Sequence, residues 1–454
     1  MRRESQKFMN RFFIKTLGCK VNQYESQVIR EGFLKNGYVE AENAHQADIS
    51  IINTCTVTSA SDSKSLKSIH SSIKCNQKCV IATGCMIEDR MLDLSKLKGV
   101  DFIISNKDKH RIPEIINRSP PYHKGTGQAC HSRRGVRISG LKGHTRAFVK
   151  VQDGCDNACS YCKVRIVRGS SKSRPFKEVI EECAGLIKNN YKEIVLTGIC
   201  LGGYGRDVSG DMSLLRLIEE ICRIQGDWRL RLSSIEPKDI TDELISYMAS
   251  EDKICRHLHM PFQSGDDEIL KRMNRPYKVN DYIGVVNRAR KAMPDMAITT
   301  DIMVGFPGEN QANFQNTVDF IREIRPMRMH VFGFSRRKGT PAYTYKDNIS
   351  ANVKKQRENL LLGLGKELAM EFVDRFIGRE VRVLVESKRD RGGFLNGYTD
   401  TYIKVSIDGQ DSLKSSLITC QLAHAPHQNL CYKDFGGAGL TNQKVYGILF
   451  PSLD

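Results

Sequence analysis

Three cysteines stand close together in "DGCDNACSYCKVRIVRGSSKSRP": Cys155, Cys159 and Cys162. Thiolates close a zinc site in sets of four, or three with a histidine. Three thiolates on an iron-sulfur cube leave one iron open, and an open iron can chelate the amino acid part of a bound molecule. The C-x3-C-x2-C spacing therefore points to a 4Fe-4S cluster with a vacant corner. Zinc completed by a distant ligand such as His144 is the alternative.

A second trio is spread over the N-terminal region. Cys19 follows "FFIKTLG", Cys55 follows "ISIINT" and Cys85 follows "VIATG". Each lies at the carboxyl end of a predicted parallel strand, and open α/β sheets bind their ligands along that edge. One of these cysteines alone reads as a small buried hydrophobe; three at equivalent strand ends read as ligands of a second cluster. Cys75 and Cys79 form a rival C-x3-C pair, but they fall at a helix end and a strand start and are set aside.

Polar residues recur at later strand ends. "LTGICLGGYG" offers Gly198, where a ligand can approach the backbone, "SSIEP" offers Ser233 and Glu236, "HMPFQSG" offers His259 and Gln263, and "TTDIMVGFPGE" offers Asp301. Singly they are turns and helix caps. Together with Tyr161, beside the last cysteine, they are the candidate cofactor-binding residues: Tyr161, Gly198, Ser233, Glu236, Gln263 and Asp301.

The elements that must position these groups follow from apolar periodicity. Residues 10–117 alternate short apolar runs with helical patterns, which predicts a parallel sheet flanked by helices, with Asn22 capping the first helix and Gly37 ending it. Residues 118–145 read as a basic linker rich in Pro and Gly. Between 146 and 372 the strand candidates "AFVKVQ", "EIVLTG", "LRLSSI", "HLHMPF", "MAITTDIMVG" and "RMHVFGF" alternate with helices, enough for a partial (β/α)6 barrel. Residues 373–450 alternate β-branched and polar residues around Gly-rich turns, as in a small antiparallel β-barrel. The fold class is α/β with that barrel appended.

The chain has 454 residues, a formal net charge of +18 and a pI near 9.2. From Ile115 to Gln152 there is no Asp or Glu, while Arg118, Lys124, Arg133, Arg134, Arg137, Lys142, Arg146 and Lys150 all fall there. Clustered positive charge points to a polyanion such as nucleic acid; a solvated surface is the plainer reading. Fifteen scattered cysteines and no long apolar run imply thiols in a reducing compartment, with the cytoplasm expected and no membrane partner.

With an aromatic residue before its last cysteine, the C-x3-C-x2-C motif resembles that of the radical S-adenosylmethionine (SAM) enzymes. "TLGCKVNQYES", "INTCTVTSASDSKS", "ATGC", "DGCDNACSYC", "RGSSKSRP", "TDIMVGFPGE" and "FSRRKGTPA" narrow the resemblance to the methylthiotransferases over nearly the whole chain. Three positions depart from that family's pattern: Lys163 and Arg165 stand where it is commonly apolar, and Cys200 where a histidine or polar residue is usual. The resemblance implies two 4Fe-4S clusters, one on Cys155, Cys159 and Cys162 that cleaves SAM to a carbon radical, and one on Cys19, Cys55 and Cys85 that carries sulfur. It further implies a TRAM-like RNA-binding barrel at the C-terminus, tRNA as partner instead of DNA, and an electron donor such as a flavodoxin or ferredoxin. The first-cysteine motif is most similar to the branch acting on N6-threonylcarbamoyladenosine beside the tRNA anticodon. Related branches act on isopentenyladenosine or on a ribosomal-protein aspartate. Phosphate contacts are expected from Arg133, Arg134, Arg137, Lys142, Lys163, Arg165, Arg168, Lys172 and Arg174. A rival from another class is a non-catalytic, zinc-dependent RNA-binding protein.

Overall fold

The computed structural model describes residues 11–75, 78–118, 137–424 and 445–449. It divides into two compact units, one of Met1–Lys142, Asp153–Glu178 and Ser335–Tyr343, the other of Gly143–Gln152, Val179–Phe334 and Thr344–Asp454. The Cys155–Cys162 segment therefore packs with the N-terminal residues, although the sequence pattern groups it with the barrel.

In the first unit five parallel strands form one sheet. Arg11–Thr16 lies between Val39–Glu40 and Ile49–Thr54, followed by Cys79–Gly84 and Phe102–Ile104. Its strands are apolar on both sides because helices cover both faces. Phe12, Ile49, Ile51 and Ile81 pack with Ile29 and Phe33 of the helix Lys20–Lys35. Ile52, Val80 and Ala82 pack with Ile69 of the helix Ser59–Lys74. Asn22 does not cap the first helix. Cys19 occupies the cap position, and Asn22 lies buried one turn in, donating to the carbonyls of Leu17 at 2.7 Å and Thr54 at 3.0 Å. Gly37 takes the expected left-handed conformation just past the helix, with φ of 82°.

The second unit contains six parallel strands matching the six predicted segments: Ala147–Lys150, Glu193–Thr197, Arg229–Leu232, His257–His259, Ala297–Val304 and Arg328–Gly333. They form two three-stranded sheets. Bridges Leu230–Ile254 and Ser234–His259 join the two into one incomplete barrel. Helix Ala351–Asp374 then leads to a closed five-stranded barrel, filled by Val383, Val385, Leu395, Val405, Ile407, Cys420 and Leu422.

This small barrel is fixed to the partial barrel by buried charge. Glu193, fully buried, accepts from Arg229 at 2.6 Å and Arg231 at 2.9 Å, with Arg146 at 3.7 Å. The remaining N–H groups of Arg229 and Arg231 reach the carbonyls of Arg382, Tyr398, Thr399 and Asp400. Arg146, expected to face a polyanion, is buried over the rings of Tyr398 and Tyr402 and paired with Glu386.

Candidate active site

Local backbone geometry brings the N-terminal trio together. Strand Arg11–Thr16 runs parallel to Ile49–Thr54, and that strand to Cys79–Gly84, so Cys19, Cys55 and Cys85 leave the same sheet edge. Gly18 lies against Cys55: a methyl group on it would fall 2.8 Å from the Cys55 sulfur. Gly84, at φ of 100°, presses on the backbone of Thr54, and the Cys85 N–H donates to the Thr54 carbonyl at 3.1 Å. Ser65 holds both backbone groups of Cys55, accepting from its N–H at 3.1 Å and donating to its carbonyl at 3.0 Å. Burial pushes the Cys55 thiol up, and the nearby Cys19 adds to this. Burial also pushes the Cys85 thiol up, to about 11, while Arg168 and Lys109 pull the other way.

Cys155, Cys159 and Cys162 sit half-buried on an irregular loop. The Cys155 N–H donates to the Gly169 carbonyl at 3.0 Å, Cys162 donates to Cys159 at 3.1 Å, and the Val164 N–H points at the Cys162 sulfur from 3.4 Å. Tyr161 is half-buried on the same loop.

Three cross-links tie this loop to the N-terminal trio within the first unit. Lys163 is buried and paired with Asp89, four residues past Cys85. The side chain of Arg168, 2 % exposed, contacts Cys85, Glu25, Asn22 and Asp153. From "FSRRKGTPA", Arg337 donates to the Thr56 carbonyl at 2.8 Å and pairs with Asp62 at 2.7 Å, while the Ala342 N–H reaches the Ser160 carbonyl at 2.8 Å. Lys163 and Arg168 are therefore not phosphate contacts, because desolvated carboxylates already hold them. The unusual Lys163 is accommodated by Asp89. Of the other expected contacts, Arg137, Lys142, Arg165 and Lys172 are exposed, Arg174 lies over the Tyr24 ring, and Arg133 and Arg134 fall outside the described residues.

The donor set fits thiolate-bound metal. Arg168 and Lys109 are both buried and share one buried carboxylate, Glu25, with the half-exposed Asp153 beyond it. The two carboxylates balance these two cations, and Cys85, beside Arg168 and Lys109, which both pull its thiol down, is placed to serve as a thiolate that a metal group would hold. Among the described residues no three His, Cys, Asp or Glu side chains converge on one point. A cube does not require that, since its thiolates bind separate iron corners.

In the second unit the candidate cofactor residues have different surroundings. Ser233 Oγ and Gln263 Oε1 are buried without a hydrogen-bond partner among the described residues. Gln263 also holds φ at 65° while its backbone bonds to Asp301 at 2.8 Å. A side chain on Gly198 would meet Gln152 at 3.0 Å, and Gln152 accepts from the Cys200 N–H at 2.8 Å. Glu236 accepts from Arg275, at 3.1 and 2.6 Å, and from the Tyr277 hydroxyl. Asp301 lies between His259 at 3.3 Å and His330 at 3.5 Å. Burial alone would push its carboxyl up; the two imidazoles hold it well below the usual range.

Sequence reasoning missed Glu25, Asp89, Lys109 and Arg337. One signal was present: Cys19, Asn22 and Glu25 recur at three-residue spacing, which puts them on one helix face.

Comparison with known proteins identifies the family. Residues 149–321 match the Radical SAM superfamily, and residues 11–105 match a family described as Uncharacterized protein family UPF0004. The chain is 36 % identical over 420 residues to the threonylcarbamoyladenosine tRNA methylthiotransferase MtaB of Bacillus subtilis, covering 90 % of this chain and 93 % of that one. The Thermotoga maritima protein of the same name is 39 % identical, covering 86 % and 90 %. A tRNA-2-methylthio-N(6)-dimethylallyladenosine synthase of Clostridium tetani is 36 % identical, covering 88 % and 90 %. Among solved structures, the radical SAM methyltransferase TsrM of Kitasatospora setae shares the fold at a TM-score of 0.54 and 14 % identity, covering 74 % of this chain and 75 % of that one.

Proposed function

Because the chain belongs to the radical SAM methylthiotransferases, an enzyme family using SAM and a 4Fe-4S cluster, we propose that it places a methylthio group on C2 of N6-threonylcarbamoyladenosine beside the tRNA anticodon. The observation that carries this is the cross-linking of both cysteine trios in one compact unit by Lys163, Arg168 and Arg337. Cys155, Cys159 and Cys162 hold the first cluster, and Cys19, Cys55 and Cys85 hold a second. When bound, the clusters and SAM supply radical and sulfur chemistry for an unactivated C–H bond, which general acid–base groups cannot break.

The chain's own residues orient and enclose. Ser233 and Gln263 offer SAM two buried polar atoms that have no other partner among the described residues. Gly198 lets Gln152 pack close against its strand end, where the backbone stays open to the cofactor's approach, and Asp301 is kept anionic by its imidazole neighbours. Glu236, held by Arg275 and Tyr277, adds a carboxylate to the strand-end wall that binds the cofactor. Phosphates of the RNA fall to the exposed Arg137, Lys142, Arg165 and Lys172. Electrons come from a small electron-donor protein of the flavodoxin or ferredoxin type.

A second reading, action on isopentenyladenosine, has the Clostridium tetani relative in its favour. Mass spectrometry of tRNA nucleosides from cells lacking the protein separates the readings. Loss of the methylthio form of threonylcarbamoyladenosine supports the first, and loss of methylthio-isopentenyladenosine the second. An unchanged nucleoside profile removes both and leaves a protein substrate.

A further inference from the structure

Arg168 ends the short helix Val164–Arg168, just past the first cysteine trio, yet its guanidinium lies beside a cysteine of the second. It makes five contacts. Nε donates to Cys85 Sγ at 3.1 Å, one terminal nitrogen to Glu25 Oε1 at 3.1 Å and Asp153 Oδ1 at 2.9 Å, and the other to Asn22 Oδ1 at 2.6 Å and Glu25 Oε2 at 3.2 Å. A guanidinium has five N–H donors in a fixed fork. All five are engaged here, so the group cannot pivot, and its Nε–H is aimed at sulfur by four oxygen acceptors. Lys109 braces the same carboxylate, donating to Glu25 Oε2 at 2.6 Å and to Asn53 Oδ1 at 3.3 Å.

We propose that Arg168 is a positioning residue that sets the reduction potential of the cluster on Cys19, Cys55 and Cys85 through its bond to Cys85 while tying that cluster to the segment bearing the other. The proposal rests on the reading that this trio holds a cluster. Hydrogen bonds to cluster sulfurs are among the determinants of cluster potential. A donor to a thiolate strengthens as the metal group gains negative charge, so it favours the reduced state and raises the potential. Lysine keeps the charge but cannot reproduce the fork.

The test uses the full chain, purified without oxygen and loaded with iron and sulfide. A Cys155→Ala, Cys159→Ala, Cys162→Ala background leaves the second cluster's signal alone. Redox titration followed by electron paramagnetic resonance, with iron counted, is compared for that background and for Arg168→Lys and Arg168→Gln within it. At a fixed solution potential both variants are expected to be reduced roughly tenfold less, about 59 mV for one electron. Full iron with an unmoved midpoint in both variants overturns the proposal. Absence of any signal in the parent background instead overturns the two-cluster reading. A measurement independent of variant folding uses the parent chain carrying 15N-arginine. A nitrogen coupling to the reduced cluster is expected, and its absence at full iron also overturns the proposal.

Discussion

Replacing Glu193 with glutamine keeps the shape of the side chain and removes its charge. Glu193 is the carboxylate shared by Arg229, Arg231 and Arg146 where the small barrel meets the partial barrel. Burial alone would push its carboxyl up, and Arg231, Arg229 and Arg146 together hold it well below the usual range. In E193Q, Arg146 keeps Glu386, but Arg229 and Arg231 lose their anion and keep neutral partners: the amide oxygen, the Tyr402 ring and backbone carbonyls of Arg382 and residues 398–400. Removing one partner of a buried ion pair costs about 3–5 kcal/mol. At about 1.4 kcal/mol per tenfold change, local opening should rise by roughly two to three and a half orders of magnitude. Hydrogen exchange read by mass spectrometry over residues 395–407 should show that acceleration, with the strand Ile49–Thr54 as an unchanged internal reference. Arg231→Met should also cost less in the E193Q background than in the native chain, because it removes surplus charge. Unchanged exchange over 395–407, or Arg231→Met costing the same in both backgrounds, would refute the charge argument. The low Glu193 value has a pH corollary: the pair's stabilisation is complete above about pH 4.3, the free glutamate value, and is lost only as pH falls through the lower folded value.

Gly84→Ala forces a methyl group into the Thr54 backbone at a left-handed φ, so it should lower iron content by about one cluster, whereas Gly37→Ala, with open space around it, should cost about 1–2 kcal/mol and keep its iron. The comparison is read by iron analysis and thermal melting. His330 has its pKa raised, first by its hydrogen bond to Asp301. Its contribution to stability is therefore present below about pH 6.5 and lost as pH rises through the higher folded value. Asp301→Asn should return the His330 titration, followed by NMR, toward about 6.5; a titration that stays put contradicts the pairing. Lys163→Met should leave Asp89 buried without its cation and cost about 3 kcal/mol or more; a change under 1 kcal/mol in denaturant unfolding contradicts a buried pair.

Much of this architecture was readable from periodicity. The strand segments appear where apolar runs alternate with helical patterns, because both depend on local burial along the chain. The shared edge of Cys19, Cys55 and Cys85 follows from the same logic, since parallel strands in one sheet end on one side. Charged residues were far less legible. Arg146, Lys163 and Arg168 look like their exposed neighbours in the basic run, yet each is buried by an acid distant in sequence. Arg146 meets Glu386, 240 residues on, and Arg168 meets Glu25, 143 residues back. No local pattern encodes such pairs. The partners of Glu236 were hidden for a similar reason, because Arg275 and Tyr277 lie about 40 residues downstream.

The central claim is that two cysteine trios hold two clusters with separate duties. It is tested most directly by assaying SAM cleavage and RNA methylthiolation side by side in Cys159→Ala and Cys55→Ala proteins purified without oxygen. The account predicts that Cys159→Ala forms no 5'-deoxyadenosine, while Cys55→Ala still forms it but attaches no methylthio group. A Cys55→Ala protein that still thiolates RNA, or a Cys159→Ala protein that still cleaves SAM, would contradict it.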